Sequence, residues 1–368
     1  MSSAQRTLAL TAKEFRQLSR DRITFAMVVM LPLIYLLLFG YSINTMVRDI
    51  PVAIVDLSGT ASARAIVEQV RVSQVVKIIG SYDTPAQAEQ ALVSGDIRAA
   101  LVLPHDLTQR LASEQTAGQW LVDGSDTMIG SAMLGLRNMP LQMEAGGPHV
   151  FDNPKQPTFE VALFFNPERR AAVNIVPGLA AIILTMTMIL FTSIALVRER
   201  ERGNMEILIT TPIRPLELML GKLIPYVLFG YIQISIVLGL GYAMFDVPFQ
   251  GSLLTLLVIT MVFIAANLTL GLLISTAAQT QMEAMQMTVF ILIPSILLSG
   301  FMFPYDSMPE LAQYIAEVLP ATHFMRLIRG VYLRGAETPQ LLGDVGWLLV
   351  FTLIMLFIAT RRFHKTLD

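Results

Sequence analysis

The 368-residue chain has no cysteine, which excludes disulfides, a thiolate nucleophile and any cysteine-held metal. Charge is scarce: 15% of residues are Asp, Glu, Lys or Arg, against about 25% in an ordinary soluble domain. Four histidines, His105, His149, His323 and His364, are too scattered for a metal set, and neither H-E-x-x-H nor G-x-S-x-G occurs. G-x-x-x-x-G-K-[ST] is also missing, so the chain has no phosphate loop with which to hydrolyse ATP by itself. Without G-x-G-x-x-G, Asp56 reads as a strand-end cap. Asp123 and Asp126, in Asp-Gly-Ser-Asp, lack the ladder of ligands that calcium needs, and the expectation there is a solvated turn. Net charge is −2, so no basic field recruits nucleic acid.

What the chain has in abundance is apolar length. Hydrophobic residues make up 54% and mean hydropathy is +0.59. Several runs reach the 18 or so residues needed to cross a hydrocarbon core of about 30 Å as helix. The fold class is an α-helical integral membrane protein of six transmembrane helices, with an α/β extracytoplasmic domain inserted between the first two. Residues 1–22 form a cytoplasmic amphipathic helix suited to the interface, with Leu8, Ala12, Phe15 and Leu18 on one side and Lys13, Arg16 and Arg20 elsewhere. The first span is 23–43, an uncleaved signal-anchor, since no small-x-small site follows it. Residues 44–172 form the insert and 173–368 the block of five further spans, at 173–197, 223–244, 252–276, 284–303 and 345–360.

Within the insert, strands are expected at 52–56, 75–79, 99–103 and 119–122, with helices up to 72 and at 85–94, 105–115 and 126–144. That alternation predicts a partly parallel sheet. Phe159–Phe165 is read as a return towards the membrane. Basic residues set the orientation: Arg16, Arg20 and Arg22, five cations in 198–222 and three after 360 put both termini in the cytoplasm. Arg326, Arg329 and Arg334, in a hairpin at 304–343, fall on the outer side and oppose that scheme. Ion-coupled carriers place charged groups inside their spans, whereas here the interiors offer neutral ones, among them Asn174, Thr185, Thr187, Gln233, Asn267 and Thr269. Such groups usually bond helix to helix.

The segment from Arg198 to Lys222 has dense mixed charge, then Gly203, a short apolar stretch, Thr210-Thr211-Pro212, and Pro215 at a position fit to open a helix. It reads as a compact helix-turn-helix that docks a soluble partner. The run E-R-E-x-G-x-x-E-x-L-x-x-T-P-x-R-P-x-E-x-x-x-G-K, Glu199 to Lys222, resembles the signature of type-2 ATP-binding-cassette exporter permeases. Pro294-Ser295 with Leu298-Ser299-Gly300-Phe301-Met302-Phe303-Pro304, and Leu319-Pro320 with Arg329-Gly330, resemble that family's fifth span and outer hairpin. Val122-Asp123-Gly124-Ser125-Asp126 in a long insert resembles its drug-efflux branch.

The resemblance implies a permease subunit in the bacterial inner membrane that exports lipophilic or amphipathic compounds, drug-like molecules or lipids. ATP and Mg would sit on a separate nucleotide-binding subunit, with no cofactor on this chain. A second permease copy or paralogue would complete the path, and a periplasmic membrane-fusion adaptor is a candidate partner of the insert. Glu199, Arg200, Glu201, Gly203, Glu206, Thr211, Pro212, Arg214 and Pro215 would couple the permease to the ATPase, and Asn174, Thr185, Asn267 and Ser299 would line the substrate path. The alternative is a membrane receptor or scaffold that relays a signal from the insert to a cytoplasmic partner.

Overall fold

In a computed structural model the structure describes residues 47–113, 115–143, 149–150, 157–201 and 215–362. The interfacial helix and the first span expected at 1–43 lie outside the described residues.

The chain first builds a five-stranded sheet. Strand β1 (Ile50–Asp56) leads to helix α1 (Ala61–Val72), β2 (Val76–Ser81), α2 (Pro85–Ser94), β3 (Ala99–Leu103), α3 (Leu107–Ala112), β4 (Gly118–Asp123) and α4 (Thr127–Gly135). A two-residue pair, β5 (Gln142–Met143) and β6 (His149–Val150), precedes β7 (Phe159–Phe164). The order is β2-β1-β3-β4-β7, parallel except between β3 and β4. Buried β1 and β3, IPVAIVD and AALVL, are the near-continuous apolar runs of strands covered on both faces. One face packs Trp120, Phe159, Leu101 and Ile66, and the other packs Ala53, Val55, Leu92 and Leu121. Helices α1, α2 and α4 start on side-chain caps: Thr60 accepts from the Ala63 N–H, Thr84 from Gln87 and Asp126 from Met128. Pro85 follows its cap, and Gly95, at φ +85°, ends α2 in the left-handed conformation.

Two expectations change. Phe159–Phe164 is a full strand, register-paired with β4 from Gly118↔Phe159 to Asp123↔Phe164, not a connecting return. The helix expected to run to 144 stops at Gly135 and a 3-10 turn, Leu136–Asn138.

Five helices long and apolar enough to cross a membrane follow among the described residues: α5 (Ala171–Glu201), α6 (Pro215–Phe245), α7 (Leu253–Ala277), α8 (Gln281–Leu298) and α11 (Thr338–Arg362). They overlap the second to sixth expected spans, but the helix expected to reach 303 ends at Leu298. Helices α5 and α7 are the buried pair, with Leu184, Met188, Phe263, Ala266 and Leu272 in one core. Their approach is close enough that a Cβ on Gly271 would lie 2.8 Å from the Ile189 carbonyl oxygen, the small-residue contact by which spans associate without a hydrophobic driving force. Helices α6, α8 and α11 carry outward rows such as Leu228, Ile232, Ile236 and Leu240, or Leu349, Leu353 and Phe357. Between α8 and α11 lie α9 (Glu310–Glu317) and α10 (Pro320–Arg329), which runs on into a π-turn, Gly330–Arg334. Helix α10 is almost wholly buried, and its Phe324 stacks on Phe263 with centroids 3.9 Å apart.

Candidate functional sites at the two ends of the helical block

The helical block has a sheet-domain end and a far end. Strand β7 feeds α5 directly. Arg170 Nη1 donates to the Phe245 carbonyl at 3.2 Å, so α6 returns to the sheet end, and Arg200 meets the last turn of α7, so that turn lies at the far end.

At the far end, α5 finishes in Arg198-Glu199-Arg200-Glu201. Arg200 donates to the carbonyls of Ala278 (3.0 Å) and Ser275 (3.2 Å), two of the carbonyls that a helix C-terminus leaves unpaired, where a cation also meets the negative end of the dipole. Glu201 does the converse at the start of α8: its carboxylate accepts from the Gln281 N–H at 2.8 Å and from the Gln281 side-chain amide. Thr280 caps the same helix, accepting from the Glu283 N–H at 3.2 Å. Adjacent side chains of opposite charge therefore hold both sides of the α7–α8 turn. Pro215 opens α6, where a missing N–H costs no hydrogen bond. Of the other coupling residues, Gly203, Glu206, Thr211, Pro212 and Arg214 lie outside the described residues, as does most of the expected helix-turn-helix.

At the sheet end a chain of ion pairs crosses from the sheet domain to the hairpin. Arg98, just before β3, donates from Nε to Asp306 (3.0 Å) and from Nη1 to Asp123 (3.2 Å). Asp123 also lies 3.7 Å from Arg334 and accepts from the Ser125 N–H at 3.0 Å. Asp126 caps α4 through one oxygen and meets Arg329 through the other at 3.5 Å. Arg329 also donates to the Asn174 side-chain oxygen in the first turn of α5. The turn expected to be solvated is thus buried: Asp123 is 1% exposed, because three arginines converge on it and its neighbour. Burial opposes ionisation of Asp123, but Arg334, Arg98 and the bonds from Ser125 outweigh it and hold the carboxyl below the usual range. Arg98 moves upward for the same reason: burial opposes its charge, and Asp306 and Asp123 more than offset that.

A second group lies alongside. His323 Nδ1 is 2.6 Å from Asp344, its Nε2 is 2.9 Å from the Glu317 carbonyl, and its ring stacks on Trp347. Arg326 pairs with Glu317 and Asp344 and lies over the Tyr305 ring. The three hairpin arginines that oppose the charge-based orientation are therefore each matched by carboxylates. No cluster able to hold a metal occurs among the described residues.

Among the described residues no hydrogen bond joins Asn174, Thr185, Asn267 and Ser299 to one another, although Asn174 and Ser299 both lie beside Arg329. Asn174 belongs to the ion-pair chain. The Thr185 hydroxyl donates to Ala181 (2.9 Å) inside α5. The Asn267 amide donates to Phe263 (3.0 Å), while its side-chain oxygen is buried without a partner, as is the Ser299 hydroxyl. Thr187 and Gln233 bond across α5 and α6 at 2.7 Å.

Residues 22–361 match the family model described as ABC-2 family transporter protein. The chain belongs to the ABC-2 transporter family. It is 30% identical to the probable multidrug ABC transporter permease YbhS of Escherichia coli (strain K12), over 100% of this chain and 98% of the relative. It is 29% identical to the probable multidrug ABC transporter permease YbhR of the same strain, over 94% and 95%. The inner membrane transport permease YhhJ of that strain is 31% identical over 57% of this chain and 56% of its own length. In this ABC-2 chain the family match spans both the sheet domain and the helical block.

Proposed function

We propose that the protein is the membrane-spanning subunit of an ATP-driven exporter. It moves lipophilic or amphipathic compounds out of the cytoplasm or inner leaflet, and a separate nucleotide-binding subunit supplies the energy. ATP and Mg belong to that partner, and a second permease copy or paralogue completes the path. The far end of the helical block faces the cytoplasm and the sheet domain faces the periplasm. The names of the relatives, probable multidrug ABC transporter permeases matched over 95% or more of their length, agree with this reading.

The observation that carries it is the grip of Arg200 and Glu201 on the α7–α8 turn. These residues belong to the charged segment, 198–222, that would dock the ATPase. Displacement of that segment is passed to α5, α7 and α8 together, because α5 is bonded to the end of one and the start of the other. At the opposite end the first turn of α5 carries Asn174, held by Arg329 and through it by Asp126. A push at one end of α5 therefore reaches both the sheet domain and the hairpin, where release would occur. The single membrane helices, central α5 and α7 and the outward apolar rows fit a permease half that needs a second copy.

The test is export of a lipophilic fluorescent compound by cells carrying Glu201→Lys, with membrane levels of the protein checked in parallel. Loss of export at unchanged membrane level is expected. Normal export by a well-inserted variant would count against the coupling role. Purification with a kinase or regulator, and without an ATPase, would favour a receptor that relays signals from the sheet domain.

A further inference from the structure

The ion-pair chain at the sheet end encloses a small cavity of about 20 Å³. Its lining includes four guanidiniums, Arg98, Arg326, Arg329 and Arg334, against two carboxylates, Asp126 and Asp306, together with Ser299. Asp123, which offsets Arg98 and Arg334, and Glu317 and Asp344, which offset Arg326, stand outside the lining. The cavity surface is therefore richer in positive than in negative groups.

Its hydrogen bonding is unfinished in one direction. Arg329 Nε, Arg334 Nε and the Ser299 hydroxyl are buried without a hydrogen-bond partner, and Arg334 Nη1 has only the 3.7 Å ion pair with Asp123, in residues 9%, 8% and 2% exposed. Guanidinium nitrogens only donate, and leaving such donors unpaired away from water is costly, the more so when they are charged. A single water accepts from at most two of them, giving its own hydrogens to Asp126 or Asp306 of the same lining. A small anion has no hydrogens to place and accepts from more of them. The volume decides the size: a cavity of roughly 10–15 Å³ holds one water, so this one takes a single small sphere and excludes a carboxylate or phosphate group. Burial and the neighbouring Arg98 and Arg329 pull Arg334 down to about 10 despite Asp123, as expected where positive charge is crowded.

We infer that this cavity is a binding site for one small monovalent anion of the halide class, held by Arg329, Arg334 and Ser299 between the sheet domain and the hairpin. The anion would bind only when the two are docked, and would tie them together. Because the readout is folding stability, the inference does not depend on the transport reading.

The experiment is thermal unfolding of the purified full chain in detergent, in chloride or in gluconate, at one pH and ionic strength. Chloride should raise the midpoint by several degrees along a saturable curve, and bromide should replace it. Ser299→Ala removes an uncharged donor and leaves every ion pair intact. It should raise the half-saturating chloride concentration about tenfold, the effect of one lost bond to a charge. Arg334→Lys keeps the charge, loses the guanidinium donors and should shift the curve in the same sense. Equal midpoints in the two salts, or wild-type chloride curves in both variants, would overturn the inference and leave water as the occupant.

Discussion

Asp123 is the residue on which the sheet end turns, since it meets both Arg98 and Arg334. Asp123→Asn keeps the shape and removes the charge, leaving two buried guanidiniums short of a partner. Loss of one member of a buried pair costs about 3–5 kcal/mol, and chemical unfolding of the full chain should report a loss of that order. The pH dependence has a fixed sign. The folded pKa of Asp123 is depressed, so its stabilisation is complete above the ordinary carboxylate value of about 4 and is lost as pH falls below it. Thermal midpoints between pH 6 and 3 should fall for the wild type, and the Asn variant should lack that component. Gly95 is constrained twice, by its positive φ and by the Arg334 guanidinium lying where a Cβ would go. Gly95→Ala should therefore destabilise by about 1 kcal/mol or more, with the added methyl displacing Arg334 from Asp123.

At the scale of elements, the spans were readable because an apolar run of 18 or more residues has few alternatives. Strands β1 to β4 were readable from short buried runs between turn residues. Strand β7 was harder: Phe159-Glu160-Val161-Ala162-Leu163-Phe164 is apolar and leads straight to a span, and only pairing with β4 reveals it as a strand. The far-end segment was visible as a motif, whereas the contacts of Arg200 and Glu201 with the α7–α8 turn were not, because their partners lie about 80 positions on. The sheet-end network was illegible for the same reason: Arg98 and Asp306 are 208 positions apart, and Asp126 and Arg329 are 203 apart. The one signal available was that three arginines on the supposed outer side needed an explanation. A double-mutant cycle with Arg98→Ala and Asp306→Ala tests whether sheet domain and hairpin are energetically joined. Both side chains are partly buried, and a coupling on the order of 1 kcal/mol is expected. Additive losses would mean that this pair does not hold the two together.

For the whole molecule, α5 is the element that connects everything. It starts beside β7, is held at Asn174 by the hairpin, runs through the core against α7 and ends by gripping the turn before α8. An exporter needs such a connection, since ATP is spent on one side of the membrane and the compound leaves on the other. The most direct measurement is the ATPase rate of the complex purified with its native nucleotide-binding subunit, wild type beside Glu201→Lys, each with and without an exported lipophilic compound. The account predicts that the wild type is stimulated by the compound, while the Lys variant assembles, hydrolyses ATP at its basal rate and shows no stimulation. Equal stimulation of an assembled Glu201→Lys complex would contradict it.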